Sequence, residues 1–230
     1  MKILELTLLS NHLQQQKKFY RDVLELELIA ERRDRISFQV GSTTLNFVES
    51  KKFKPYHFAF NIPAYMEEEG LEWLKDRVEI LKEAENEIID FSSWNARAMY
   101  FYDQDQNIVE FISRRNLGIH SDEKFSSDNL LHVSEIGVPT NNISEVFEFL
   151  SNEIGLEIYD GSLYKFCAVG WETGLFICIN KNTKKWFPTD DLAYPADFKA
   201  LIEEENVKYA IEFENMRLKL IDIEAINTGF

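Results

Sequence analysis

Residues 2–50 read KILELTLLSNHLQQQKKFYRDVLELELIAERRDRISFQVGSTTLNFVES, and the change of hydrophobic period inside this stretch decides the fold. Along residues 3–9, Leu4, Leu6 and Leu8 alternate with Ile3, Glu5, Thr7 and Leu9, the pattern of a strand with two different faces. Ser10 or Asn11 is placed to cap a following helix, in which Leu13, Lys17, Tyr20, Val23 and Leu24 fall near helical spacing. Three strand-like runs come next: 26–32 (LELIAER), 35–41 (RISFQVG) and 43–50 (TTLNFVES), separated by charged or glycine-containing turns. One unit is therefore strand, helix and three strands, or βαβββ.

The pattern returns after roughly 55 residues, the kind of self-similarity that marks a repeated supersecondary unit. Residues 57–62 (HFAFNI) read as a strand. Pro63 leads into a helix with Leu71, Leu74, Val78 and Leu81, and 88–93, 96–103 and 107–114 supply three more strands. Residues 117–129 are polar and turn-rich, the best linker. A third copy starts with 130–140 (LLHVSEIGVPT), has a helix capped by Asn142 or Ser144, and continues through strands at 156–161, 163–171 and 175–181. A fourth is degraded: a short helix around 198–205 precedes strands at 208–215 and 218–225, with no clear first strand. The simplest expectation is an α+β protein of two domains, 1–116 and 130–230, each made of paired units.

Composition narrows the function classes. With 25 basic and 40 acidic residues the net charge is −15, which disfavours nucleic acid and anionic membrane surfaces as partners. No apolar run approaches the roughly 18 residues of a membrane helix, and the N-terminal stretch carries no leader pattern, so a cytoplasmic location is expected. Cys167 and Cys178 lack metal or redox spacing and are expected to be reduced and buried.

The segment FYRDVLELEL at 19–28, the polar His12 seven positions before Phe19, and the hairpin MYFYDQDQNIVEFI at 99–112 together resemble the vicinal oxygen chelate superfamily. That group includes glyoxalase I, fosfomycin-resistance transferases, bleomycin-resistance proteins and extradiol dioxygenases. The resemblance implies tandem βαβββ units whose sheets curl into a cup around one divalent metal ion, with ligands from the first and last strands of each unit. It implies units paired within one chain or exchanged between two, which leaves room for a homodimer. Carried over by position, the ligands are Glu5, His57 and Glu110, with Asn46 standing where glyoxalases have an acid. Glu135, fourteen positions before Phe149, repeats the Glu5 position in the third unit, but no histidine or acid in the fourth unit completes a second site.

Strand alternation supports the same residues without the resemblance. Glu5 lies opposite Leu4, Leu6 and Leu8, His57 lies opposite Phe58, Phe60 and Ile62, and Glu110 lies opposite Val109 and Phe111, so in each case an apolar row can pack on helices while the polar residue faces the other way. Two carboxylates converging in a partly apolar cup need a cation or shared protons to be held there. One imidazole and two carboxylates suit Mn, Fe(II), Ni or Zn. Trp94, Arg97, Tyr100 and Tyr102 lie on or before the strand that pairs with Glu110, and with Asn46 they are the expected substrate wall. Of the other histidines, His120 lies in the linker and His132 on the wrong face.

The resemblance implies a metal-dependent lyase, isomerase or dioxygenase acting on a small molecule through two adjacent oxygens, with Glu110 as general base. A metal-free, bleomycin-resistance-like sequestering protein is the alternative. The motifs diverge from the family pattern: DQDQN stands at 103–107 for DPDGN, and LEL at 24–26 for LGL. No particular reaction follows.

Overall fold

A computed structural model of the chain describes residues 1–227. The strands are β1 (Lys2–Ser10), β2 (Glu27–Glu31), β3 (Arg35–Val40), β4 (Thr43–Glu49), β5 (His57–Ile62), β6 (Ile80–Leu81), β7 (Ile89–Phe91) and β8 (Ala96–Tyr102). They continue with β9 (Ile108–Arg114), β10 (His132–Thr140), β11 (Ile158–Ser162), β12 (Phe166–Trp171), β13 (Gly174–Asn180), β14 (Phe198–Glu204), β15 (Val207–Glu214) and β16 (Arg217–Ile221). The α-helices are α1 (Leu13–Lys18), which runs on into a π-turn at Phe19–Val23, α2 (Glu67–Lys75) and α3 (Ile143–Ile154). Asn142 caps α3, its side chain accepting the Glu145 backbone N–H.

These elements form two mixed sheets that curl without closing. One has the order β16-β15-β14-β1-β4-β3-β2, and the other β11-β12-β13-β10-β5-β9-β8-β6, with β7 paired to β8. The first sheet joins the opening unit to the last three strands of the chain; the second joins the two middle units. Antiparallel pairing of β5 with β10 and of β1 with β14 makes the two joints.

This corrects the expected division at 117–129. In a domain confined to 1–116 the first strands β1 and β5 would pair with each other; instead β14 covers the edge of β1, with Leu6 opposite Ala200 and Leu8 opposite Phe198, and β10 covers that of β5. It also corrects the helix expected at 198–205. Charged, helix-favouring residues suggested a helix, but Phe198, Ala200 and Ile202 alternate into the core and the segment is strand β14. The 17-residue stretch 181–197 can reach roughly 55 Å, ample length to carry the chain from β13 back to the first sheet.

Each sheet turns one face toward the helices, and the apolar rows on those faces share one core that includes Leu6, Phe47, Phe60, Phe111, Ile136 and Phe213. The turn at 103–107 bolts the sheets together. Buried Asp103 accepts hydrogen bonds from Gln16 Nε2 and Tyr20 Oη at 2.8 Å each, and Ser10 Oγ donates to Asp105 at 2.5 Å. The opposite face of the second sheet carries a separate apolar cluster around Ala59, Tyr100, Ile177 and Trp186. Cys167 and Cys178 are free, buried and directly opposite one another on β12 and β13. Among the described residues no helix is long and apolar enough to cross a membrane.

Candidate metal centre

The site lies on the second sheet's helix-free face, at the joint between its two halves. His57 opens β5, Glu110 sits mid-way along β9, and Glu135 lies on β10 where that strand crosses β5. Alternation delivers the first two as expected: Phe58, Phe60, Val109 and Phe111 go to the helix-side core and leave His57 and Glu110 facing the other way. In register, Glu110 stands opposite Ala59 and Glu135 also stands opposite Ala59, one from each side, so the two carboxylates flank β5.

One ligand atom from each of His57, Glu110 and Glu135 can be chosen so that all three lie within 4.8 Å of one another, and all three residues are buried. His57 Nε2 is 3.5 Å from Glu110 Oε2 and 3.8 Å from Glu135 Oε2. The other ring nitrogen, Nδ1, is 3.2 Å from the Ile108 carbonyl oxygen, which can only accept, so Nδ1 carries a proton and Nε2 is the ring atom turned to the two carboxylates. Burial, reinforced by the charge of Glu135, pushes the Glu110 carboxyl well above its ordinary value, while Arg114 and the Tyr100 hydroxyl pull the other way. Tyr100 lies directly across the β8–β9 ladder from Glu110 and hydrogen-bonds to it; burial and the two carboxylates drive its phenol upward.

Three lone-pair-bearing atoms converging out of water repel one another unless something positive lies between them. The donor set of one imidazole and two carboxylates is therefore fitted to a divalent cation. The fourth corner is apolar: Ile177 on β13 stands opposite Gly137, two residues past Glu135, as Glu110 stands opposite the residue two past His57.

Above the triad is a cavity of about 300 Å³ walled by Phe91, Trp94, Tyr100, Phe166, Trp186 and Phe187, with Asp160 and Lys184 among its polar lining. The stretch 181–197 bends over it, placing the Trp186 ring 5.0 Å from that of His57.

The structure thus brings His57, Glu110, Trp94 and Tyr100 together and separates the other expected site residues from them. Glu5 lies in the first sheet, bonded to Arg35 at 3.0 Å and to Asn46 at 2.8 Å, because its strand joins β4 and β14 rather than β5. Asn46 is committed to Glu5, Thr7 and Ser37. Arg97 alternates onto the helix side, where it pairs with Glu67 and Glu68. Tyr102 points its hydroxyl at Asp191, 2.6 Å away, and so fastens the 181–197 stretch. Glu135 takes the place expected of Glu5, with partners from the second unit rather than the fourth. Its sequence signal was the isolated acid in LLHVSEIGVPT. Arg114 and Trp186 had none beyond an apolar setting for the first.

No protein-family description matches the sequence, and no curated protein matches it. Solved structures do. A candidate dioxygenase from Bacillus subtilis aligns with a TM-score of 0.58 at 16% identity, over 78% of this chain and 63% of that one. Glyoxalase I from Zea mays aligns at 0.51 and 13% identity, over 77% and 66%, and a variant of it at 0.54 and 12%, over 92% and 88%. The chain thus spans slightly under two thirds of the length of the first two. At these identities the likeness is one of fold, and the three βαβββ-like units and the curled sheets agree with it: the chain shares the fold of these glyoxalase and dioxygenase structures.

Proposed function

We propose that His57, Glu110 and Glu135 hold one divalent metal ion, and that the cup above them is the active site of a metal-dependent enzyme acting on a small molecule through two adjacent oxygens. The observation that carries this is the buried convergence of the three ligand atoms, with His57 Nδ1 already spent on the Ile108 carbonyl. Such a hydrogen bond to the far ring nitrogen is what orients a ligating histidine. When bound, the ion would stabilise negative charge developing on the substrate oxygens.

The chain's own residues supply the rest. Glu110, linked to the Tyr100 hydroxyl and lining the cavity, is placed to take a proton from the substrate. The aromatic walls exclude water and favour a compact, largely apolar substrate, and the cavity volume of about 300 Å³ sets its size. With three protein ligands and Ile177 at the fourth corner, substrate oxygens have positions left to fill.

Metal analysis of protein purified without chelators tests the assignment. Close to one Mn, Fe, Ni or Zn per chain is expected, lost in a His57→Ala, Glu110→Ala double variant. Protein that carries no ion, and whose melting temperature none of these ions raises, would overturn it, since a ligand of the native state must stabilise that state.

A further inference from the structure

We propose that Arg114 is a positioning residue that ties one oxygen of Glu135, so that Glu135 presents a single oxygen to the ion; the inference rests on the metal-centre assignment above. Arg114 ends β9 on the same face as Ile108, Glu110 and Ile112, and its side chain is fully buried. Its Nη2 donates to Glu135 Oε1, and its Nε donates to Asn61 Oδ1 at 3.2 Å. The Trp94 ring covers the guanidinium from 5.2 Å. Nη1 is buried and meets no acceptor among the described residues.

The last point is the informative one. A guanidinium stripped of water normally meets a carboxylate with two parallel hydrogen bonds, which spend four atoms at once. Here Glu135 gives only Oε1 to Arg114 while its Oε2 turns to His57, 3.8 Å away. The division leaves Nη1 unsatisfied, a cost that a purely structural pair would avoid by full bidentate contact. Sharing the carboxylate between a fixed cation and the triad is what keeps its second oxygen from joining the first on the ion. Arg114 also offsets one of the two buried carboxylate charges, so that the ion and a chelating anion need not neutralise the whole site.

The test uses Mn(II) as the ion and acetohydroxamate, which chelates through two oxygens, as the probe. At saturating Mn(II), Arg114→Met should bind acetohydroxamate about tenfold or more weakly than the wild type, because the freed oxygen of Glu135 takes up a coordination position, and Arg114→Lys should recover part of the loss. If Arg114→Met, saturated with Mn(II), binds the probe as tightly as the wild type, Arg114 is merely structural and the proposal falls. A crystal of the wild-type protein soaked in Mn(II) decides the matter even if the variant does not fold: Glu135 bound through Oε2 with Oε1 still on Arg114 supports it, and both oxygens on the ion overturn it. If wild-type protein takes up no Mn(II) or other divalent ion, the metal-centre assignment fails and this inference with it.

Discussion

The edge of the Trp186 indole fills the space above Gly137: a Cβ built on that glycine would lie 2.7 Å from Cη2 and 2.8 Å from Cζ2 of the ring. Gly137 is on β10 two residues past Glu135, so the absence of a side chain there lets the 181–197 stretch settle over the triad. Gly137→Ala should push Trp186 off His57, cost about 1–3 kcal/mol of stability as an overpacked site, and expose the indole. Thermal melts and tryptophan emission would show it; an unchanged melt with unshifted emission would mean the ring is not seated there.

Glu5 and Glu135 occupy matching positions in their units but have different surroundings, and a matched pair of variants separates them. Glu135→Gln should abolish metal binding. Glu5→Gln should leave it intact and lower stability by at most about 1 kcal/mol, since its pairing with Arg35 is only partly buried. Metal content and denaturant midpoints check both; loss of the ion in Glu5→Gln would contradict the strand pairing described here.

Asp103 gives the fold a pH dependence away from the triad. Burial lifts its carboxyl from 3.8 to about 6, against the pull of hydrogen bonds from Asn107, Gln16 and Tyr20. A carboxyl raised in the folded state contributes stability that is fully present below the unfolded value and is lost as pH rises through the folded one. The full excursion corresponds to about 3 kcal/mol. The stability margin of wild type over Asp103→Asn should therefore shrink between pH 4 and pH 6.5, read by urea melts at each pH. A margin that widens instead would place the folded carboxyl below its ordinary value.

Tyr102→Phe removes the 2.6 Å hydrogen bond that fastens Asp191 and leaves the cavity walls in place. A local loss of about 1 kcal/mol is expected, appearing as faster proteolysis within 181–197 while metal content stays unchanged. Equal cleavage rates would show that the other contacts of this stretch, such as Trp186 on His57 and the Tyr56 hydroxyl on the Asp197 carbonyl, secure it without Tyr102.

The repeat was legible because alternation and helical spacing are properties of a few neighbouring residues. HFAFNI and IVEFI each announce which face their His57 or Glu110 must take, whatever they pair with. The same rule, applied one residue at a time, would have sent Arg97 to the helix side, since it alternates with Ala96 and Ala98 on β8, both of which face the cup. The fourth unit was obscured because FKALIEE contains good helix formers, and only its ladders to β1 and β15 make it a strand.

By itself, the amino-acid sequence determined the βαβββ repeat, the two faces of each first and last strand, and hence that His57 and Glu110 would meet on one side of a sheet. Only the tertiary structure decided which unit stands beside which. Three such units and a fourth reduced to β14–β16 offer several ways to cover the open edge of a first strand, and the choice depends on contacts between residues far apart in the chain, such as Leu6 with Ala200 and Ala59 with Glu135. That choice put Glu135 rather than Glu5 beside His57 and Glu110, and set it against Arg114, which alternation along β9 had already placed on the face of Glu110.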